Sequence, residues 1–222
     1  MRGWIIYLAS VLFAGVIQAT NPRGKVIIVR HGEKNPKSAG KNPHLNQRGE
    51  IRAAALAELF FPKMSHSYVQ AANISLPQID MVIAQESNDR HKSKRKEETA
   101  SPIAKAGSLA LNVHDQDDIP GLGDRLRNET QFGRNVLIVW DHSSVSQLVG
   151  NLLQLEEEVI RWPMDRYDVI WEIDLDALTL QQFCQHLLFG DLWCPVNPIQ
   201  VYPAINARVP QARQQYYYPI MS

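Results

Sequence analysis

The sequence predicts an α/β protein, a three-layer α/β/α sandwich around a mainly parallel central sheet. Three observations carry this reading. Val26, Ile27, Ile28 and Val29 form a short apolar, β-branched run, the pattern of a strand buried on both faces. Val136, Leu137, Ile138 and Val139 form a second such run and end in Trp140. Segments with apolar residues at helical spacing lie between and after these runs. Strands and helices therefore alternate, which implies right-handed crossovers and a sheet covered on both faces.

Residues 1–19 stand apart: Arg2 gives a positive start, residues 4–16 are almost wholly apolar, and Ala19 ends a small-residue stretch. This is the pattern of a secretory signal peptide. The apolar run is near the lower length limit for a span, so an uncleaved membrane anchor is the alternative. One folded domain is expected over 20–195. A tail rich in Pro, Gln and Tyr follows over 196–222, laid on the domain or mobile, with room for an edge strand near 200–202.

Within the domain the first strand covers 25–29, and a polar loop with Pro36, Gly40 and Pro43 leads to a helix over about 46–61. Asn46 is its expected N-cap. Ile51, Ala54, Ala55 and Leu59 recur at helical spacing, Gly49 and Ala53 allow close packing on the sheet, and Pro62 ends the helix. Residues 63–78 read as an irregular excursion. A second strand is expected at 80–84, a polar loop at 85–92, and a helix from 93 or 94 towards 110, which Pro102 kinks or bounds. Residues 115–123 read as an acidic loop and 124–130 as a short helix. The strand over 135–140 is followed by a serine-capped helix over 143–155 and a strand over 167–174.

At 222 residues and 45% hydrophobic, the chain can bury one substantial core. Its formal net charge of zero gives no electrostatic footprint for nucleic acid. The two cysteines, Cys184 and Cys194, could pair in an oxidising compartment. Closing so short a loop would stabilise by roughly 2–3 kcal/mol. Otherwise Cys184 is buried on a helix and Cys194 sits in a loop. Two cysteines without histidines at ligand spacing do not make a zinc site, and no metal or cofactor is expected.

The chemistry concentrates at strand ends. Arg30, His31, Gly32 and Glu33 directly follow the first apolar run, and Asp141 and His142 directly follow Trp140. In open α/β sheets ligands bind beyond the carboxyl ends of the strands. Two histidines and an arginine delivered there suit an oxyanion: the guanidinium offers a planar fork of donors, and a neutral imidazole can act as a nucleophile. Ser93 and Arg95, at the start of the helix after the second strand, add a hydroxyl, a second guanidinium and backbone donors.

An ordered set of motifs resembles the histidine phosphatase superfamily, in its phosphoglycerate-mutase-like first branch. The set is Arg30, His31 and Gly32; Leu45, Asn46, Gln47, Arg48 and Gly49; Ser93, Lys94 and Arg95 ahead of Thr99 and Ala100; and the strand leading to His142. The resemblance implies a phosphatase acting on small-molecule phosphate monoesters through a phosphohistidine on His31. Arg30, Arg95 and His142 would line the phosphate pocket, with Gly32 and Ser93 beside them. An acid must protonate the leaving group: Asp141 is the first choice, Glu33 the second, and Asp115, Asp117 and Asp118 follow. The alternative is an inactive phosphate- or phosphosugar-binding protein on the same scaffold. A mutase of glycolytic intermediates conflicts with the leader, and a membrane is a partner only if that leader stays attached. Arg48 reads as an ion-pairing residue at a helix start, Ser93 equally as a helix cap, and the basic run 90–96, apart from Arg95, as a solvated loop. His44, His66, His91, His114 and His186 have no evident partners.

Overall fold

The structure is a computed structural model that describes residues 22–36, 38, 40, 42–62, 75–155, 161–192 and 198–200. The expected leader, most of the excursion after Pro62, Cys194 and the tail beyond Gln200 lie outside the described residues.

The elements are β1 (Lys25–Arg30), α1 (Gln47–Phe60), β2 (Met81–Gln85), α2 (Arg95–Ala106), β3 (Leu111–His114), α3 (Ile119–Gln131), β4 (Val136–Trp140), α4 (His142–Leu153), β5 (Val169–Asp174), β6 (Thr179–Cys184) and β7 (Pro198–Gln200). They form a seven-stranded sheet in the order β3-β2-β4-β1-β5-β6-β7. β1 to β4 run parallel, joined by α1, α2 and α3. β5, β6 and β7 then turn back and forth as an antiparallel meander, so β6 points with β1 while β5 and β7 oppose it.

Strand alternation divides the core into two layers. Val26, Ile28, Val136, Ile138 and Trp140 pack with Leu122, Leu126, Val145 and Leu148 of α3 and α4. Ile27, Val29, Leu137 and Val139 face the other way, onto Leu56, Phe60, Ala100 and Ile103 of α1 and α2. The sheet is thus covered on both faces, the three-layer sandwich that the alternation predicts.

Several elements differ from the sequence expectation. Asn46 does cap α1, its side chain accepting from Gly49 N at 2.8 Å. The buried face of α1, however, is Gly49, Arg52, Ala53, Leu56, Ala57 and Phe60, while Ile51 is 51% exposed. The apolar stripe was placed slightly off because the buried face includes a charged residue, Arg52. α2 continues past Pro102 and stops at Ala106, short of the expected end near 110; the chain reverses at Ser108 (φ +53°) into β3, a strand the sequence reading left unassigned. α3 starts earlier than expected, because Asp118 caps it by accepting from Gly121 N, with Pro120 in its first turn. α4 is capped by Asp141 rather than by a serine, with Ser143 N donating to Asp141 Oδ1 at 3.0 Å. Cys184 ends β6 rather than lying on a helix, and it is disulfide-bonded. β7 is an edge strand two residues earlier than expected. Among the described residues no helix is long and apolar enough to cross a membrane.

The two strand ends that matter are neighbours. β1 and β4 pair directly with Arg30 opposite Trp140, so His31 and Asp141 leave the sheet side by side.

Candidate active site

His31 is the first residue past β1, and its ring is 1% exposed. Its Nδ1 lies 2.6 Å from the Gly32 carbonyl, a contact that requires a proton on Nδ1 and leaves the Nε2 lone pair free. Burial is the main influence on its titration. It outweighs the Gly32 carbonyl and Asp141, and Arg30 and Arg95 add to it, so the pKa falls to about 3. The imidazole is therefore neutral at physiological pH, as a nucleophile must be.

Gly32 holds this arrangement. Its N–H donates to Thr99 Oγ1 at 2.9 Å, and Thr99 Oγ1 donates to the Arg95 carbonyl at 2.7 Å. A Cβ on Gly32 would stand 2.6 Å from Gly49 O, and one on Gly49 would stand 2.4 Å from Glu33 O. Close approach of α1 to the loop after β1 therefore needs both glycines. The expected role of Gly32 as an anion ligand is corrected: its N–H is already donated, and it positions His31 instead.

Arg30 is buried between its own strand and the segment before β5. Its Nη1 donates to the carbonyls of Met164 (2.6 Å) and Arg166 (3.1 Å), and its guanidinium lies 4.0 Å over the Tyr167 ring. Tyr167 also stacks obliquely on His31, with ring centroids 5.9 Å apart. Arg95 opens α2, donates from Nη1 to Asn42 O at 3.3 Å, and is close enough for its charge to act on both His31 and Arg30. α2 has no side-chain cap, so its opening N–H groups are unclaimed by one.

Asp141 faces both imidazoles: Oδ2 is 3.9 Å from His31 Nε2, and Oδ1 is 3.2 Å from His142 Nδ1, the latter too poorly angled for a hydrogen bond. Gln85 at the end of β2 accepts from Asp141 N at 3.0 Å. Burial pushes the Asp141 carboxyl up, but His142 and the Ser143 N–H and O–H more than offset this, and the group is held well below the usual carboxylate range.

Four buried polar atoms have no hydrogen-bond partner among the described residues: Arg30 Nε, Ser93 Oγ, Arg95 Nε and His142 Nδ1. Each belongs to a residue that the sequence singled out for an oxyanion site. Buried donors without partners are costly and rare, and their convergence marks a place for a bound group. Ser93 is not the cap of α2, which overturns that reading; Lys94 holds the position.

The other candidate acids are engaged elsewhere. Glu33 is tied to Arg52 (Nη2 to Oε1, 2.7 Å) and Arg48 (2.9 Å), and although burial pushes its carboxyl up, these partners keep it ionised. Asp115 and Asp117 pair with Arg90, and Asp118 caps α3. Arg48 is the ion-pairing residue expected of it. His44, His91 and His114 do find partners, in Glu98, Asp117 and Asp118. His91, Asp115 and Asp117 have their ligand atoms close enough together for a metal ion, but Arg90 already binds both carboxylates.

Sequence reasoning gave no role to Thr99, Gln85 or Tyr167, nor to two buried cations, Arg52 and Lys96. Arg52 is 2% exposed and bridges Glu33 and Asp191 at 2.7 Å each, with Gln185 accepting at 2.9 Å. This knot ties the loop after β1 to α1 and to the loop after β6. Lys96 is 2% exposed with no hydrogen bond or ion pair among the described residues. A usable signal existed for Thr99 and Lys96: each shares the sheet-facing stripe of α2 with Ala100 and Ile103.

No protein-family model and no curated protein matches the chain. Solved structures do. A putative alpha-ribazole-5'-P phosphatase from Escherichia coli is 14% identical with a TM-score of 0.49, covering 76% of this chain and 98% of its own. A mycobacterial glucosyl-3-phosphoglycerate phosphatase is 13% identical with a TM-score of 0.47, covering 68% and 90%. A putative phosphohistidine phosphatase from Agrobacterium tumefaciens is 13% identical with a TM-score of 0.43, covering 69% and 92%.

Proposed function

We propose that this protein is a phosphatase of the histidine phosphatase superfamily that hydrolyses phosphate monoesters outside the cytoplasm through a phosphohistidine on His31. The observation that carries the reading is the state of His31: a buried, neutral imidazole with Nδ1 locked to a carbonyl and Nε2 free, beside converging donors that lack partners. Nε2 attacks phosphorus in line. Arg30, Arg95, Ser93 and His142 bind the equatorial oxygens and neutralise the charge that spreads over them in the transition state. Their placement before the substrate arrives supplies most of the acceleration, since little covalent work remains for the protein.

Asp141 is assigned a different role from the leaving-group acid first expected. A proton donor must hold its proton at working pH, whereas this carboxyl is held ionised. As an anion facing both rings, it orients His142.

The extracytoplasmic location rests on the amino-terminal pattern. The disulfide at Cys184 supports it, because thiols stay reduced in the cytosol.

A second reading, an inactive phosphate-binding protein, draws on Asp141 and Glu33 both being held ionised. One experiment separates the two: hydrolysis of 4-nitrophenyl phosphate by wild type and His31→Ala, with acid quenching to trap an acid-labile phosphoenzyme. Turnover and trapping by wild type, both lost in His31→Ala, are expected. Phosphate binding without either establishes the second reading.

A further inference from the structure

The site as described lacks a proton donor for the departing oxygen. His31 keeps its one ring proton on the Gly32 carbonyl. Arg30 and Arg95 do not release protons in proteins. Asp141 and Glu33 are ionised, and Asp115, Asp117 and Asp118 are committed to Arg90 or to a helix cap. His142 is assigned to the phosphoryl oxygens.

Tyr167, whose ring packs on Arg30 and His31, and Lys96 are left over, and Lys96 is the more deeply buried of the two. Lys96, in the first turn of α2, lies on the stripe of that helix that faces the sheet, together with Thr99, Ala100, Ile103 and Ala104. Helical side chains lean towards the helix N-terminus, so Lys96 leans towards the sheet edge where β1, β2 and β4 end. It is one of the largest fully buried side chains in the protein. Lysines are almost never buried unless paired, and this one has no hydrogen bond or salt bridge among the described residues. The charges acting on it are Asp141 from the β4–α4 junction and Arg95 and Glu97 from its own helix, Asp141 having the largest effect. The stem is buried, but Nζ is not among the fully enclosed unpartnered atoms, so the ammonium keeps an opening through which a substrate dianion can pair with it. Thr99, three residues on along the same stripe, accepts from Gly32 N beside His31.

We propose that Lys96 is the general acid of the proposed phosphatase, protonating the leaving-group oxygen in the first half-reaction and deprotonating the attacking water in the second. This rests on the phosphatase reading given above. The His31 Nε2 lone pair forms the N–P bond while the P–O bond to the leaving group breaks; that oxygen keeps the electron pair and takes a proton from Lys96 Nζ. The neutral amine then takes a proton from the water whose oxygen attacks the phosphohistidine. The N–P bond breaks, its electron pair returns to Nε2, inorganic phosphate departs, and Lys96 is again an ammonium. Burial favours the neutral amine and Asp141 the ammonium; burial prevails, and the group is held below the usual lysine value, the direction that eases proton release. Lysine serves here where an arginine could not, because arginine holds its proton throughout.

The test compares Lys96→Met and Lys96→Arg with wild type on two substrates, phenyl phosphate and 4-nitrophenyl phosphate. The nitrophenolate leaves without help, whereas phenolate is the poorer leaving group and gains from a proton. The expected result is that both variants lose at least about tenfold more kcat/KM on phenyl phosphate than on 4-nitrophenyl phosphate, within the usual range for a general acid. The alkaline limb of the wild-type pH profile on phenyl phosphate should vanish in both. Lys96→Arg should keep a KM near wild type, since the charge is retained. If Lys96→Met does not fold, Lys96→Arg alone decides. Equal losses on the two substrates, or full rescue by arginine, would overturn the proposal while leaving the phosphatase reading intact. A wild-type protein that neither turns over 4-nitrophenyl phosphate nor traps a phosphoenzyme overturns that reading and this one together.

Discussion

Acidification from pH 7 to pH 5 should destabilise the protein through His31 in particular. His31 carries a folded pKa of about 3 against an ordinary value of 6.5, because its ring is buried. Between those values the unfolded chain binds a proton that the folded protein refuses. Stability from this group is thus full above about pH 6.5 and falls as the pH drops towards 3. Linkage across these two pKa values gives a loss of about 2 kcal/mol at pH 5 and about 0.2 kcal/mol at pH 7. Other groups titrate too, so the measurement must isolate this one. Urea unfolding of wild type and His31→Asn at both pH values does so: the asparagine does not titrate, and its own cost cancels in the difference. Wild type should lose about 2 kcal/mol more than His31→Asn between pH 7 and pH 5. A difference below about 0.5 kcal/mol would mean that His31 accepts a proton in the folded state, and the neutral nucleophile would lose its basis.

Three further outcomes follow from the same geometry. Arg52→Met should destabilise by about 2–4 kcal/mol, because Glu33 and Asp191 lose the buried one of their two shared cations and keep only the more exposed Arg48; a loss under about 1 kcal/mol in urea unfolding would show that the knot is solvated. Gly49→Ala should cost about 1–3 kcal/mol and lower kcat, since its Cβ would meet Glu33 O at 2.4 Å and press on the loop that carries His31; unchanged thermal melting and activity would contradict the close approach. Asp141→Asn keeps a good N-cap residue on α4, so unfolding free energy should change by less than about 1 kcal/mol while kcat on an aryl phosphate falls at least about tenfold. Wild-type kcat in that variant would remove Asp141 from the site.

What the sequence disclosed and what it hid follow from how each interaction is made. Val26 to Val29 and Val136 to Val139 declare themselves as central strands, because burial on both faces leaves no room for polar residues. Asn46 declares the start of α1, because capping is a contact between near neighbours in the chain. His31, Arg30, Arg95 and His142 were legible as a group, since a residue just past a strand has its position set by that strand. β3 and β6 were not legible. Leu111 to His114 is a short, half-buried edge strand, and Thr179 to Cys184 mixes polar and apolar residues in a meander with solvent on part of its surface.

Sequence alone therefore determined the layers, the two central strands and the histidines and arginines at their ends, all products of local pattern and of the rule that strand ends carry ligands. Only the tertiary structure decided the charges. Whether Asp141 is acid or anion, whether Glu33 faces the site or Arg52, and whether Lys96 is a solvated loop residue or a buried ammonium each depend on partners brought from other strands and helices. A charge has no intrinsic address in a sequence: its burial and its proton are settled by whatever the fold packs against it.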